Sequence, residues 1–328
     1  MAPGDARDRV PELPDVTVYV EALTRHLVGK RLLAARLASP FLLRTVDPSL
    51  ADAHTLAVRE VRRLGKRIVI GLEGDMFLVL HLMIAGRLRW KPFGAALKGR
   101  SDLAAFDFAA AEGSAAGTLV FTEAGSKKRA SLHVLRGETA LAAMDAGGIE
   151  PLDVDAAAFA AALRRENHTL KRALTDPRIL AVIGNAYSDE ILHRARLSPM
   201  LLTQKADDET LARLHAATHD VLLEWTERLR ADAADGFPKQ VTAFREGMAV
   251  HGRFGEPCPV CGTAVQRIVR GAHESNYCPR CQTGGKMLAD RALSRLLHDD
   301  WPERIEEWEE RIGDAGSRDD ARAGRRRK

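Results

Sequence analysis

Residues 255–282 read GEPCPVCGTAVQRIVRGAHESNYCPRCQ and contain all four cysteines of the 328-residue chain. Cys258 and Cys261 form one Cys-x-x-Cys pair, and Cys278 and Cys281 form the other, 16 residues later. Thiolates at this spacing can surround one tetrahedral ion, and the segment between the pairs can form a β-hairpin. A redox pair is the alternative, but it needs neither a second pair nor this spacing. The sequence therefore predicts one structural Zn²⁺ with four cysteine ligands.

The composition is that of an ordinary globular protein, with 45% hydrophobic and 29% charged residues. No run of 18 apolar residues is available for a membrane span, and the opening residues MAPGDARDRV have no apolar stretch for a secretory signal. We therefore expect a cytoplasmic protein, in which metal binding is favoured over disulfides. The length predicts two or three domains.

Basic residues are clustered, although the net charge of +4 is too small to indicate a partner. Residues 239–298 contain nine Lys or Arg against four acidic residues, and further clusters occur at 59–67 and 127–129. Clustered cations suit a polyanion, because each phosphate contact releases counterions. For any single cluster, a solvated surface is the simpler interpretation.

The first third of the chain predicts one helix followed by strands. Pro14 is suited to a first helical turn, and Gly29 can end the helix. The helix would bury one apolar stripe, formed by Val16, Val20, Leu23 and Leu27. Short alternating apolar runs with turn signals then occupy residues 31–135 and predict a β-sandwich or barrel. Residues 140–152, with a glycine pair and a proline, are typical of a linker.

Residues 153–235 predict a group of helices. Asp155 can cap the first of them, residues 175–177 interrupt the pattern, and residues 211–229 form a long helix. The last segment, 301–328, is highly charged and predicts a frayed helix and a disordered tail.

Residues 177–196 fit a helix, two tight turns and a second helix. Gly184 and Asn185 provide the turn signal, and we expect the second helix to start within residues 188–190. Amides at such a helix N-terminus favour phosphate. An ordinary helical corner is the alternative.

The motifs taken in order resemble the formamidopyrimidine-DNA glycosylase / endonuclease VIII family. The resemblance covers about residues 11–282. It rests on five segments: PELPDV at 11–16, Gly65-Lys66, HLMIAG at 81–86, IGNAYSDE at 183–190, and the cysteine module.

The resemblance implies an α+β multidomain protein with an N-terminal β-sandwich and flanking helices, a helix–two-turn–helix domain and a zinc finger with a β-hairpin. Duplex DNA with damaged bases or abasic sites would lie between the domains. The expected division is a possible extension at 1–10, the sandwich at 11–145, the helical domain at 146–240, the finger at 241–290 and a tail at 291–328. The implied activity is that of a bifunctional DNA glycosylase and AP lyase of base-excision repair. We expect a monomer associated with the nucleoid.

The resemblance also implies roles for individual residues. Pro11 matches the nucleophile, a secondary amine that attacks C1′ and forms a Schiff base. Glu12 matches the acid that protonates the sugar ring oxygen, and Lys66 matches a lysine that contacts phosphate near the lesion. Ile84 occupies the position of the side chain that fills the gap left by the extruded base. The remaining expected DNA contacts are Asn185, Lys171, His273 and Arg280.

The chain departs from the family pattern at four places. Val10 precedes Pro11, whose nitrogen is then a tertiary amide and cannot form an iminium. We expect that the gene start is placed too far upstream, so that the native protein begins at Pro11; an inactive paralogue is the alternative. Residues 123–129 lack the family's loop pattern, His273 replaces a phosphate-binding arginine, and 46 residues follow Gln282. A non-catalytic zinc-finger protein that binds damaged or abasic DNA therefore remains an alternative, as does a zinc-ribbon RNA-binding factor. His81 alone is most simply a core histidine.

Overall fold

The structure, a computed structural model, describes residues 11–124, 127–234, 236–238, 245–270, 273–289 and 302–310. Two antiparallel sheets come first in the chain, followed by a group of helices and a two-stranded hairpin. None of the helices in these ranges is long and apolar enough to cross a bilayer.

Helix α1 (Leu13–Leu27) opens the described chain and packs on the sandwich. Pro14 lies in its first turn, where a missing N–H costs no hydrogen bond. Val16, Leu23 and Leu27 are fully buried on one side of α1, in one core with both sheets. Gly29 follows with φ +84°, a backbone conformation that favours glycine and ends the helix. The predicted helix and its apolar stripe are confirmed.

Eight strands form two four-stranded sheets that face each other. The strands are β1 (Leu32–Leu37), β2 (Val58–Leu64), β3 (Arg67–Leu72), β4 (Met76–His81), β5 (Gly86–Pro92), β6 (Asp102–Phe108), β7 (Gly117–Glu123) and β8 (Ser131–Arg136). Their order is β1-β6-β7-β5 in one sheet and β2-β3-β4-β8 in the other, with every pair antiparallel. Alternate residues of β3 and β4, such as Ile68 and Leu80, share a core with Phe106 and Phe121 of the other sheet. The predicted sandwich is confirmed.

The strand register brings two turns to the same edge of the sandwich. Leu64 pairs with Arg67, so Gly65 and Lys66 form the tight turn between β2 and β3. Arg67 also pairs with His81, the last residue of β4. The turn at Lys66 therefore lies beside the segment that connects β4 to β5.

Five helices follow the sandwich: α2 (Glu138–Ala142), α3 (Ala156–Arg164), α4 (Leu170–Thr175), α5 (Asn185–Arg194) and α6 (Asp208–Ala233). Asp155 caps α3 as predicted, since its carboxylate accepts the N–H of Ala158 at 2.8 Å. The helices bury a second core of their own, which includes Phe159, Leu192 and Leu222.

The expected start of α5 within residues 188–190 is wrong. The helix begins at Asn185, and Gly184 is its extended N-terminal neighbour. The reason is a contact distant in sequence, because the carboxylate of Glu12 holds the amides of Gly184 and Ala186. These bonds satisfy N–H groups that a helix leaves free in its first turn.

The last part of the fold is a small cysteine-bearing module with β9 (Gln266–Arg270), β10 (His273–Tyr277) and α7 (Pro279–Thr283). The predicted hairpin is confirmed. Residues 302–310, where the sequence predicts a frayed helix, are folded against this module and are helical from residue 305. The N–H of Ile305 donates to the carbonyl of Gly285 at 2.9 Å, and the Ile305 side chain is fully buried. The rest of the expected tail lies outside the described residues.

Candidate active site and DNA-binding surface

Glu12 joins the sandwich to the helical domain. Its carboxylate accepts backbone N–H groups from Gly184 at 2.5 Å, Ala186 at 2.9 Å and Tyr187 at 3.3 Å, all at the N-terminus of α5. Only 2% of Glu12 is exposed. Burial raises the pKa of this carboxyl above its ordinary value, although Lys66 and the amides act in the opposite direction. Glu12 is thus a buried acid held in a fixed position next to Pro11, which is itself buried.

Asp15 fixes the backbone on which Glu12 sits. One oxygen of its carboxylate accepts the N–H of Glu12 at 3.1 Å, and the other is 2.8 Å from a guanidinium nitrogen of Arg245. The ion pair is nearly inaccessible, with 3% of the Asp15 side chain and 11% of the Arg245 side chain exposed. Burial raises the pKa of Asp15, and the charge of Arg245 opposes this effect. The pair links α1 to the segment that leads into the cysteine module.

We expect Arg245→Met to destabilise the protein by about 3–5 kcal/mol, because it leaves a buried carboxylate without its counter-charge. The double variant Asp15→Asn with Arg245→Met should recover much of this loss, since asparagine still accepts the Glu12 N–H and carries no charge. Urea unfolding of the unsubstituted protein and the two variants measures both effects. Equal stability of the single and double variants would contradict the role given to this pair.

Lys66 occupies the turn between β2 and β3, where Gly65 adopts φ +55°. Its side chain is half-buried. Burial lowers the pKa of the ammonium, while the carboxylate of Glu12 raises it, so the two groups lie within electrostatic range of each other. Within the described part of the chain, no carboxylate lies within salt-bridge distance of Lys66. The site therefore offers a cation that can bind an anion from outside.

A cavity of about 250 Å³ opens beside Lys66. It is lined by Gly65, Lys66, Arg67, His81, Met83, Asp145, Ala146, Pro177 and Ala181. Burial and then the charges of Arg67 and Lys66 lower the pKa of His81 to about 4, so its ring is neutral near pH 7. His81 is half-buried and lines this cavity together with Lys66 and Arg67, so it is not enclosed within the core as the sequence interpretation expects. Lys66 and Arg67 give the lining two cations and Asp145 gives it one carboxylate, so an anion such as a phosphate would bind on the side of the two cations.

Ile84 lies in the turn that connects β4 to β5, close to this cavity. The N–H of Gly86 donates to the carbonyl of Leu82 at 2.9 Å, and a Cβ at Gly86 would lie 2.1 Å from the same oxygen. Met83 has φ +52°, in the left-handed region that non-glycine residues adopt at a cost. Ile84 is half-buried at the tip of this tight turn. A short, constrained turn of this kind can hold a side chain rigidly against a base pair.

Asn185 and Lys171 meet at the N-terminal half of α5. The side-chain amide of Asn185 donates to the carbonyl of Glu274 in β10 at 2.7 Å. The ammonium of Lys171 donates to Asp189 at 2.5 Å and to the carbonyl of Asn185 at 2.7 Å. Asp189 also contacts His251 at 2.8 Å. Both predicted DNA contacts are therefore engaged within the protein, and their roles toward DNA stay predictions.

The four cysteines have a geometry suited to zinc. Their Sγ atoms all lie within 4.8 Å of one another, with Cys258 to Cys281 at 4.0 Å and Cys261 to Cys278 at 3.4 Å. Four Zn–S bonds of about 2.3 Å in a tetrahedron require sulfur atoms that are close to one another in this way. An all-cysteine set leaves no position for substrate, so the ion supplies structure and no chemistry.

The two other predicted contacts lie on the cysteine module. His273 is the first residue of β10, and its side chain lies outside the described part of the structure. Arg280 lies on α7, where about half of its side chain is exposed and one nitrogen is 3.7 Å from Glu306. Their contacts with DNA also stay predictions.

The structure thus brings Pro11, Glu12 and Lys66 together with the N-terminus of α5. Sequence reasoning missed His81, Asp15 and Arg245. His81 is the last residue of the buried strand β4, which is a weak signal for a site residue. For Arg245 the sequence contains no signal.

Three family models match the chain in the order of its domains. They describe the formamidopyrimidine-DNA glycosylase N-terminal domain (residues 10–125), the formamidopyrimidine-DNA glycosylase H2TH domain (148–232) and a zinc finger found in FPG and IleRS (255–284). The first match begins at residue 10, directly before Pro11.

Curated relatives match over most of the chain. Formamidopyrimidine-DNA glycosylase of Solibacter usitatus is 30% identical over 277 residues, which are 83% of this chain and 99% of that protein. The Thermus thermophilus protein of the same name is 32% identical over 288 residues, 84% of this chain and 100% of its own. An uncharacterized formamidopyrimidine-DNA glycosylase-like protein of Mycobacterium tuberculosis is 42% identical over 150 residues, 46% of this chain and 93% of that protein.

Solved structures share the fold. A Lactococcus lactis Fpg in complex with DNA that contains an oxidized pyrimidine superposes with a TM-score of 0.73 at 23% identity, covering 83% of this chain and all of the other. The same protein in complex with DNA that contains an abasic site gives 0.72 at 22% identity, with 83% and 99% covered.

Proposed function

Because the chain belongs to the formamidopyrimidine-DNA glycosylase family, we propose that it is a DNA glycosylase and AP lyase of base-excision repair. Its substrate is duplex DNA with oxidised or ring-opened bases, or with abasic sites. The observation that carries the proposal is the position of Glu12. This buried acid follows Pro11 directly, is held by three amides at the N-terminus of α5 and lies within electrostatic range of Lys66.

The reacting group is the secondary amine of Pro11. Its nitrogen forms a bond to C1′ as the glycosidic C–N bond breaks; the electron pair leaves with the base, and the proton that the amine loses goes to the base. Glu12 donates a proton to the sugar ring oxygen as the C1′–O4′ bond opens, which leaves an iminium. The iminium acidifies the C2′–H, so β-elimination breaks the C3′–O bond, and δ-elimination then breaks the C5′–O bond.

This chemistry requires a chain that begins at Pro11. With Val10 attached, the nitrogen is a tertiary amide whose lone pair is delocalised. The match of the N-terminal family model from residue 10 supports Pro11 as the first residue of the catalytic domain. The second candidate is a protein in which Val10 stays attached to Pro11, a non-catalytic protein that binds damaged or abasic DNA in the same cleft.

The other contacts serve the extruded nucleotide. Lys66, Arg67 and His81 surround a cavity that suits a phosphate beside the lesion. Ile84 fills the space of the base that leaves the stack. Extruding the base costs a few kcal/mol and is easiest at a damaged pair. Asn185 and Arg280 add contacts from α5 and from the zinc finger. The protein acts as a monomer on the nucleoid.

Strand cleavage separates the two candidates. Duplexes with a single oxidised purine, a ring-opened purine or an abasic site are incubated with the full chain and with the form that begins at Pro11. We expect the Pro11 form to release the damaged base and cut the strand, and the full chain to bind without cutting. Binding by both forms without cleavage by either would favour the second candidate.

We expect Lys66→Ala to weaken binding to damaged and undamaged duplexes alike. Loss of one phosphate contact should reduce the slope of log K against log salt by about 0.9. Titrations by fluorescence anisotropy at several salt concentrations measure this slope. The control is Lys205→Ala, which removes an exposed lysine that does not line the cavity. A change in lesion preference with an unchanged slope would contradict the phosphate role.

A further inference from the structure

Helix α5 carries a buried histidine that the proposed chemistry does not use. His193 lies in the last turn of α5 with 6% of its surface exposed. Its Nε2 is 3.3 Å from Sγ of Cys258, one of the four cysteines of the zinc site. A metal-bound thiolate has no proton and can only accept a hydrogen bond. In this contact, Nε2 must therefore be the nitrogen that carries the hydrogen.

We propose that His193 is a positioning residue that donates a hydrogen bond to the Cys258 thiolate and thereby retains zinc and joins the zinc site to α5. Four thiolates around one Zn²⁺ leave two negative charges in a small apolar core that contains Val250 and Val265. A hydrogen-bond donor next to one of the sulfur atoms stabilises this negative charge and fixes the orientation of that cysteine side chain. Partners of this kind affect metal affinity by about 10–100-fold.

The contact has a mechanical consequence, because α5 and the zinc finger also meet elsewhere, for example where the Glu190 carboxylate accepts the N–H groups of Val250 and His251 at 2.9 Å. Asn185, at the other end of α5, donates to the carbonyl of Glu274 in β10. Gln282 of α7 donates to the carbonyl of Leu197, just after α5, at 2.9 Å. His193 is the member of this set that contacts the metal ligands directly. Zinc binding therefore fixes the finger on the same helix whose N-terminus holds Glu12.

The test measures zinc release from purified protein into excess chelator. We expect His193→Ala to release zinc about 10–100-fold faster than the unsubstituted protein. His193→Gln should release it at nearly the original rate, since the glutamine amide reaches a similar position and can donate to sulfur. The control is His215→Ala, which removes a half-buried histidine that bonds to the carbonyl of Val154, away from the cysteines.

A second measurement distinguishes this contact from a general packing role. In the cobalt-substituted protein, His193→Ala should shift the thiolate-to-metal charge-transfer bands, whereas His215→Ala should leave them unchanged. Unchanged bands, unchanged zinc release, or equal acceleration by His193→Ala and His215→Ala would overturn the proposal. If His193→Ala fails to fold, His193→Leu takes its place as the variant without the donor. Equally fast zinc release from His193→Gln and His193→Leu would then overturn the proposal.

The DNA consequence rests on the proposed function and is measured separately. With zinc in excess, His193→Ala should bind abasic duplex several-fold more weakly than His193→Gln, because the finger is less firmly held. If no form of the protein binds abasic duplex, including the unsubstituted protein, the proposed function is contradicted. The zinc-release and cobalt results would then still decide the role of His193.

Discussion

Glu12→Gln, in the form that begins at Pro11, should lower base excision at intact lesions by about 10²–10⁴-fold. Cleavage at preformed abasic sites should remain close to the original rate. Glutamine has nearly the shape of glutamate but cannot protonate the sugar ring oxygen. An abasic sugar already opens without that proton, so only the excision step depends on it. Single-turnover rates on the two substrates measure the difference.

The variant also tests how Glu12 is held. Oε2 accepts the amides of Gly184 and Tyr187, and Oε1 accepts that of Ala186. Glutamine retains one accepting oxygen, so some loss of thermal stability should accompany the loss of excision. The matched variant is Gly184→Ala, whose new Cβ would lie 2.6 Å from Oε1 of Glu12. It displaces the carboxylate without removing it and should lower both activities together. Equal loss of both activities in Glu12→Gln would contradict its role as the acid.

Cys278→Ser should abolish zinc binding and most binding to duplex DNA. The core of the finger is small and consists of Val250, Val265 and the cysteines themselves. Because so little apolar surface is buried there, metal binding supplies much of the folding free energy of the module. The expected metal content is one zinc per unsubstituted chain and none in the variant, measured on protein prepared without added chelator.

The control for this prediction is Val260→Ser. Val260 lies between the first two cysteines with 59% of its surface exposed, so the change introduces serine without removing a ligand. It should keep one zinc per chain and normal DNA affinity. Retention of a full equivalent of zinc by Cys278→Ser would show that the four-cysteine site is wrong.

Local patterns were sufficient for much of the fold. The spacing of Cys258, Cys261, Cys278 and Cys281 indicates a tetrahedral site whatever the rest of the chain does. Alternating apolar residues predict strands such as β3, because one face of each strand is buried. The cap at Asp155 depends only on its neighbours in sequence. Features of this kind need no knowledge of distant contacts.

The errors arose where distant residues meet. The start of α5 depends on Glu12, which is 172 residues from Gly184. The ion pair of Asp15 with Arg245 spans 230 residues, and Arg245 lies in a stretch without a readable pattern. The sequence places Ile305 in a highly charged segment, but its side chain is buried against the finger. Local sequence propensity carries no information about these contacts. The contacts nevertheless decide where α5 begins and how the finger is placed.

The identity of the reacting amine is the central claim. The form that begins at Pro11 and the full chain are each incubated with abasic-site duplex and borohydride, which reduces an iminium to a stable amine. The trapped protein is digested, and the modified residue is identified by mass spectrometry. We expect the adduct on the nitrogen of Pro11 in the short form and none at Pro11 in the full chain. An adduct on Lys66 in equal yield from both forms would contradict Pro11 as the nucleophile.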